Sequence, residues 1–275
     1  MTAPVAIVTG GSSGIGELTA HQLNERGFTV YAAARRTDRM KGLERSGIRT
    51  RALDLTVDRS MQDLVEGVVA EQGRVDLLIN NAGFGAFGAV ETVAMADAKA
   101  QFEVNVFGLA RMTQLVLPHM RAARRGRVIN VSSIAGYVAE PYGGWYHASK
   151  HAVEGLSDCL RMEMKPFGVD IILVEPGPVR TEWNAIAANS LVASSKGTPY
   201  AKQAKATRRA LKAMNSSILA VPASRVAEVI VTAALNEKPS ARYPVGRRAA
   251  AIMIAGKYLP TKAVDAVTGL LYHAR

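Results

Sequence analysis

The chain has 275 residues, 48% of them hydrophobic, which is enough to bury a sizeable core, and its one cysteine, Cys159, excludes an intrachain disulfide framework. No run approaches the roughly 18 apolar residues of a membrane-spanning helix, and the apolar stretch Val5 to Val8 comes too early to leave room for a secretory leader, so a cytoplasmic protein is expected. The formal net charge of +11 points to an anionic ligand or surface.

In chain order, the runs at 4–9, 28–34, 48–53, 75–80, 126–132 and 169–175 are rich in Val, Ile, Leu and Ala without polar alternation, the pattern of strands covered on both faces. Helical periodicity at 14–26, 57–72, 97–123 and 145–166 separates them. That alternation predicts an α/β fold, a doubly wound parallel sheet in a three-layer αβα arrangement with right-handed crossovers. A helix from Ala223 and a strand at Ala241 to Val245 follow. Residues 183–221 are weakly periodic, and a segment that long outside the alternation predicts a lid over a site. No linker, repeat or low-complexity tract interrupts the chain, so residues 1–275 predict a single domain with a C-terminal extension at 247–275.

The first strand runs into Thr9-Gly10-Gly11-Ser12-Ser13-Gly14-Ile15-Gly16, which opens the first helix. Glycines allow a tight turn and close approach of a pyrophosphate, whose charge the free N–H groups and the helix dipole favour. At the end of the second strand an acid would bind the ribose hydroxyls of NAD, but Ala34 stands there, followed by Arg35 and Arg36. An arginine fork suits a 2′-phosphate, so NADP(H) is predicted over NAD(H). The arginines within 121–127 lie near a helix end and read as partners of its dipole.

Tyr146 and Lys150, four residues apart on a predicted helix, share one face. A neighbouring ammonium favours the phenolate, so Lys150 is expected to draw the Tyr146 phenol down from about 10 toward working pH. His147 and His151 lack a third ligand and read as ordinary helix residues, so no metal site is predicted.

Added to these are Asp54-Leu55, Asn80-Asn81-Ala82-Gly83, Asn105, Ser132-Ser133, and Pro176-Gly177 followed by Val179 and Thr181. In this order the motifs resemble those of the short-chain dehydrogenase/reductases, in the branch built on little more than one Rossmann-type domain. The resemblance runs from about 5 to 182. It implies that Asp54 accepts a hydrogen bond from the adenine, with Leu55 beside it, and that Asn81, Ala82 and Gly83 pack on the adenosine. It further implies that Pro176, Gly177 and Val179 line the nicotinamide side and that Thr181 bonds the carboxamide. Family spacing puts the catalytic serine 13 residues before the tyrosine, at Ser133, leaving Ser132 as a local hydrogen-bonding residue. The implied catalytic set is Asn105, Ser133, Tyr146 and Lys150: Tyr146 passes the proton, Ser133 orients the substrate oxygen, Lys150 binds the nicotinamide ribose, and Asn105 holds a water.

The lid carries Trp183, Ile186, Leu191, Val192, Tyr200, Leu211, Met214, Ile218 and Leu219, and Phe84, Phe87, Val138, Pro141 and Tyr142 add candidate apolar wall. With the segment Arg242 to Arg247 resembling the hydroxysteroid and retinol dehydrogenase subgroup, a bulky, lipid-like ketone, aldehyde or alcohol is expected as substrate. A homodimer or homotetramer built on the helices at 97–123 and 145–166 is also implied. The tail residues Ile252, Met253, Ile254, Tyr258, Leu259, Leu270 and Leu271 alternate with Lys257, Lys262 and Arg275. They are read as covering the sheet or a subunit, with peripheral membrane contact as the alternative. A non-catalytic NADP-binding regulator is the rival reading of the fold. Nucleic-acid binding is not expected, because no stacking platform accompanies the charge.

Overall fold

The computed structural model describes residues 2–215 and 220–272. Its strands are β1 (Val5–Thr9), β2 (Thr29–Ala34), β3 (Arg49–Ala52), β4 (Leu77–Asn80), β5 (Gly126–Val131), β6 (Val169–Pro176), the two-residue pair β7 (Val179–Arg180) and β8 (Val221–Pro222), and β9 (Arg242–Val245). Seven of them form one parallel sheet in the order β3-β2-β1-β4-β5-β6-β9. The strand order reverses between β1 and β4, which opens a crevice at the carboxyl ends of those strands.

The helices are α1 (Gly14–Glu25), α2 (Lys41–Arg45), α3 (Asp58–Gln72), α4 (Met95–Phe102), α5 (Leu109–Ala122), α6 (Gly144–Met164), α7 (Trp183–Ser194), α8 (Ala201–Asn215), α9 (Ala223–Leu235), α10 (Ala249–Tyr258) and α11 (Thr261–Tyr272). Alternate strand residues face opposite layers. Ala6, Val8, Val30 and Ile129 share a core with Leu23 of α1 and Val226 and Ile230 of α9. On the other face Ile7, Tyr31, Leu78 and Val128 pack with Leu64 and Val68 of α3 and Met112 and Val116 of α5. Each such fully buried aliphatic side chain contributes roughly 1.5–3 kcal/mol, so the sheet is a rigid floor for the loops above it.

Two expectations are corrected. The run at 48–53 is not covered on both faces: β3 is an edge strand, and its Arg49 and Arg51 lie over the Tyr31 ring and pair with Glu71. The helix expected at 97–123 is interrupted by a π-helical turn, Glu103–Gly108, between α4 and α5. Most of the weakly periodic stretch at 183–221 is helical, as α7 and α8; Ala187, Ala188 and Leu191 pack on Ala204 and Leu211, and alanine on several sides of α7 blurs its apolar stripe. Ile218, Leu219 and Arg275 lie outside the described residues, as do the side chains of Met214, Leu270 and Leu271. Among the described residues no helix is long and apolar enough to cross a membrane.

The arginines at 121–127 are structural, as expected: Arg121 lies over Phe167, Arg124 bonds the Pro166 carbonyl, and Arg127 pairs with Asp170 and caps the Ala233 and Ala234 carbonyls of α9.

Candidate active site

A cleft of about 900 Å³ lies over the crevice at the carboxyl ends of the strands. One end of it is formed by the turn after β1. Gly10 (φ +71°) and Gly14 (φ +58°) both adopt left-handed backbone that favours glycine, and a Cβ on Gly10 would sit 2.8 Å from the Asn81 amide nitrogen. Thr9 and Asn81 stitch this turn to the loop after β4: Thr9 Oγ1 accepts from the Asn81 and Ala82 N–H groups, and Asn81 Nδ2 donates to the Thr9 carbonyl at 3.0 Å. Ser12, Ser13, Gly14 and Ile15 face the cleft, as do Asn81, Ala82 and Gly83. Gly16 does not line it. A Cβ there would collide with the Gly10 carbonyl and the Asn81 side chain, so Gly16 closes the turn from behind.

Arg35 and Arg36 line the cleft with Asp54 and Leu55. Arg36 reaches toward the Ser12 and Ser13 hydroxyls at 3.5 and 3.4 Å. Hydrogen bonds from the Thr56 backbone and hydroxyl, helped by the Arg35 charge, hold Asp54 below the usual carboxylate range. This end of the cleft thus offers left-handed glycines, an exposed guanidinium pair and no acid at position 34, a donor set that fits a dinucleotide bearing an added phosphate.

At the other end Ser133, Tyr146 and Lys150 converge from the turn after β5 and from α6; Pro176, Gly177, Val179 and Thr181 line the same cleft, with Thr181 beside Gly14 of the glycine turn. Ser133 Oγ accepts from the Ala135 N–H at 3.1 Å and donates to the Pro176 carbonyl at 3.3 Å. Tyr146 is caged by Phe87 and Trp183, with ring centroids 5.8 and 4.9 Å away. Burial pushes its phenol up to about 12, while a hydrogen bond with Ser133 pulls the other way. The expected lowering by Lys150 is therefore corrected. The Lys150 ammonium donates to the Val131 carbonyl at 2.8 Å and lies 5.9 Å from the Tyr146 ring centroid, and burial draws it down to about 8 against the pull of Glu154.

Asn105 sits in the π-helical turn and is buried outside the cleft lining. Its Oδ1 accepts from the Phe84 N–H at 3.0 Å, and its Nδ2 donates to the Phe84 carbonyl at 2.9 Å and to Ser149 Oγ at 3.1 Å. Both amide hydrogens are committed, and the side chain clamps the Phe84 loop to α6. The hydroxyl expected to bond locally, Ser132 Oγ, is buried with no partner among the described residues.

Two features are missed from sequence. His147 is buried: Nε2 accepts from the Glu140 N–H and Nδ1 faces the Ala135 carbonyl, both at 3.1 Å, which assigns the proton to Nδ1 and pins the loop above Ser133. Behind Lys150, Arg242 gathers Glu154, Glu175, Asp158 and Tyr137. One signal for this cluster is present in the chain: Glu175 is an acid at the end of the otherwise apolar run Ile171 to Val174.

A doubly wound sheet with a glycine turn at its first crossover and a serine, tyrosine and lysine at the crevice defines a nicotinamide-dependent oxidoreductase. The family model for short chain dehydrogenase matches residues 4–190, and the chain belongs to that family. It is 43% identical over 181 residues to the 3-ketodihydrosphingosine reductase of Bacteroides thetaiotaomicron, a match spanning 66% of each chain. Among solved structures, a short-chain dehydrogenase from Streptomyces avermitilis superposes with a TM-score of 0.79 at 32% identity, covering 99% of this chain and 96% of that one. The fold serves both cofactors. A metagenomic short-chain oxidoreductase in complex with NADP (28% identity, TM-score 0.70, 89% and 97% covered) and a Burkholderia phymatum enzyme in complex with NAD (27%, 0.75, 87% and 88%) are both similar to it.

Proposed function

We propose that the protein is an NADP(H)-dependent reductase or dehydrogenase that interconverts a ketone or aldehyde and an alcohol on a bulky, apolar substrate. The observation that carries this reading is the convergence of Ser133, Tyr146 and Lys150 in the same cleft as the phosphate-binding turn. Apolar character is supported by the wall around Tyr146, where Phe84, Phe87, Val138, Trp183, Ile186 and Leu211 face the cleft. The 3-ketodihydrosphingosine in the name of the Bacteroides relative is consistent with a keto substrate.

When bound, the dinucleotide supplies or takes up the hydride. Arg35 and Arg36 hold its added phosphate, and Lys150 bonds its ribose with the ammonium hydrogens left over from Val131. A substrate oxygen sits between Ser133 and Tyr146. Ser133 turns its one hydroxyl hydrogen from the Pro176 carbonyl to that oxygen, and Tyr146, whose raised value keeps the proton on the phenol at neutral pH, delivers its proton to the developing alkoxide. Asn105 positions the loop that shapes the wall. Residues 1–275 act as one domain, with α7 and α8 as the lid over the substrate. Assembly as a homodimer or homotetramer uses α5 and α6 with the adjoining π turn, where Phe107, Leu156 and Met162 are exposed.

The test is titration of both cofactors followed by a screen of NADPH oxidation on steroid, retinoid and keto-lipid carbonyls. Tighter NADPH than NADH binding is expected, with turnover on at least one long apolar carbonyl. Preference for NADH, or turnover confined to small polar ketones, refutes the corresponding half of the reading.

A further inference from the structure

The helix that carries Tyr146 and Lys150 continues the same stripe through Glu154 and Asp158, each one turn beyond the last. Glu154 meets Glu175, from the end of β6, across the Arg242 guanidinium of β9. The side chains of Glu154 and Glu175 are 9% and 0% exposed, whereas Asp158, on the other guanidinium nitrogen, is 39% exposed and has Arg161 as a second partner. Three acids therefore share two arginines, and the acid left over in that count lies in the buried pair, with the Lys150 ammonium one turn away on α6 as the further cation that faces it.

Hydrogen counting leads to the same place. Glu154 Oε2 and Glu175 Oε1 are served by Arg242 Nη1 and by the Tyr137 hydroxyl, which is 3.1 Å from each and has one proton to give. Glu154 Oε1 and Glu175 Oε2 are buried with no partner among the described residues. Two ionised carboxylates in this setting are costly, and a proton on one relieves both the repulsion and an unpaired oxygen. The groups facing the pair are Lys150, Asp158 and Arg161 on α6, Tyr137 in the turn after β5, and Arg242 on β9.

We propose that Glu154 and Glu175 form a dyad that holds one proton between them and acts as a positioning pair for Lys150, its charge deciding how firmly the ammonium keeps its proton. This rests on the catalytic reading of Lys150 given above. In support, burial and then the Glu154 charge push the Glu175 carboxyl up to about 7, and Glu154 is the one charge that props up Lys150 against its own burial. Glu154, one turn from the ammonium, keeps Lys150 charged further into the alkaline range than burial alone would allow, and the charge gained as pH rises through about 7 is added beyond it, on Glu175 at the end of β6.

The sign of the stability effect follows from linkage. A carboxyl whose folded value is raised binds its proton more tightly folded than unfolded, so stability is present below the unfolded value near 4.5 and is lost as pH rises through about 7. The melting temperature of the wild type is expected to fall between roughly pH 5 and 7.5. Glu154→Gln and Glu175→Gln should each flatten that slope, because the shared proton needs both carboxyls. Asp158→Asn should leave it in place. NADPH affinity measured against pH reads Lys150 without catalysis: its alkaline loss should move to lower pH by about half a unit or more in Glu154→Gln, and by less in Glu175→Gln. Uniformly lower melting temperatures with an unchanged slope would show a structural role alone and overturn the dyad. If neither variant folds, infrared spectra of the wild type decide: a protonated buried carboxyl band that titrates near neutrality supports the dyad, and no such band refutes it. The melting and infrared results stand even if every carbonyl substrate fails, which separates this proposal from the assigned reaction.

Discussion

Tyr146 shows how far a side chain's chemistry is set by what closes over it. Its position was readable from its spacing to Lys150, because four residues on a helix share a face. Its ionisation was not readable. Phe87, from a loop 59 residues before it, and Trp183, at the start of α7 and 37 residues after it, strip water from the phenol, while the Lys150 ammonium turns to the Val131 carbonyl on β5. A phenol held up to about 12 is a proton donor at rest, so the residue's contribution is the proton and not a standing charge. Tyr146→Phe keeps the ring in its cage and removes that proton. It should lower kcat at least ~100-fold while the NADPH dissociation constant stays within about two-fold. Wild-type turnover in this variant would exclude Tyr146 as the donor.

At the level of elements, strands β1, β4, β5 and β6 were legible because burial on both faces leaves runs such as Val5 to Val8 and Ile171 to Val174 without polar alternation. The π turn at Glu103–Gly108 was not, since one additional residue in a helix leaves little trace in periodicity; the trace it does leave is a mid-helix asparagine. That turn aims Asn105 at the Phe84 backbone, and the clamp fixes the loop that supplies the cleft wall. Asn105→Ala strands both Phe84 backbone groups and leaves the Ser149 hydroxyl oxygen without its amide donor. With unpaired buried groups costing about 1–3 kcal/mol each, a loss of roughly 2–4 kcal/mol is expected in urea denaturation, together with a raised KM for apolar carbonyls. Unchanged stability would mean that water replaces the amide and that the clamp is dispensable.

Across the whole molecule, the net charge of +11 was known from composition, but its consequence depends on where the fold puts it. Residues 183–227 contain Lys196, Lys202, Lys205, Arg208, Arg209, Lys212 and Arg225 and no acid, so this segment carries +7 and leaves +4 for the rest. Lys205, Arg208, Arg209 and Lys212 of α8 line a shallow cavity of about 340 Å³ with Val192, while Leu211 of the same helix faces the large cleft. Like charges at i, i+4, as in Lys205 with Arg209, cost a helix about 0.2–0.5 kcal/mol per pair, so α8 bears this charge against its own stability. A cationic helix beside the cleft mouth attracts a polyanionic dinucleotide before contact. The NADPH association rate should therefore fall several-fold between about 20 and 200 mM salt, as screening shortens the reach of the field. Lys205→Gln with Arg209→Gln should lower the rate at low salt and flatten its salt dependence, with the dissociation rate unchanged because neither side chain lines the cleft. Stopped-flow binding reads both rates. A salt dependence identical to that of the wild type would place the steering charge elsewhere, on Arg35 and Arg36 at the phosphate end.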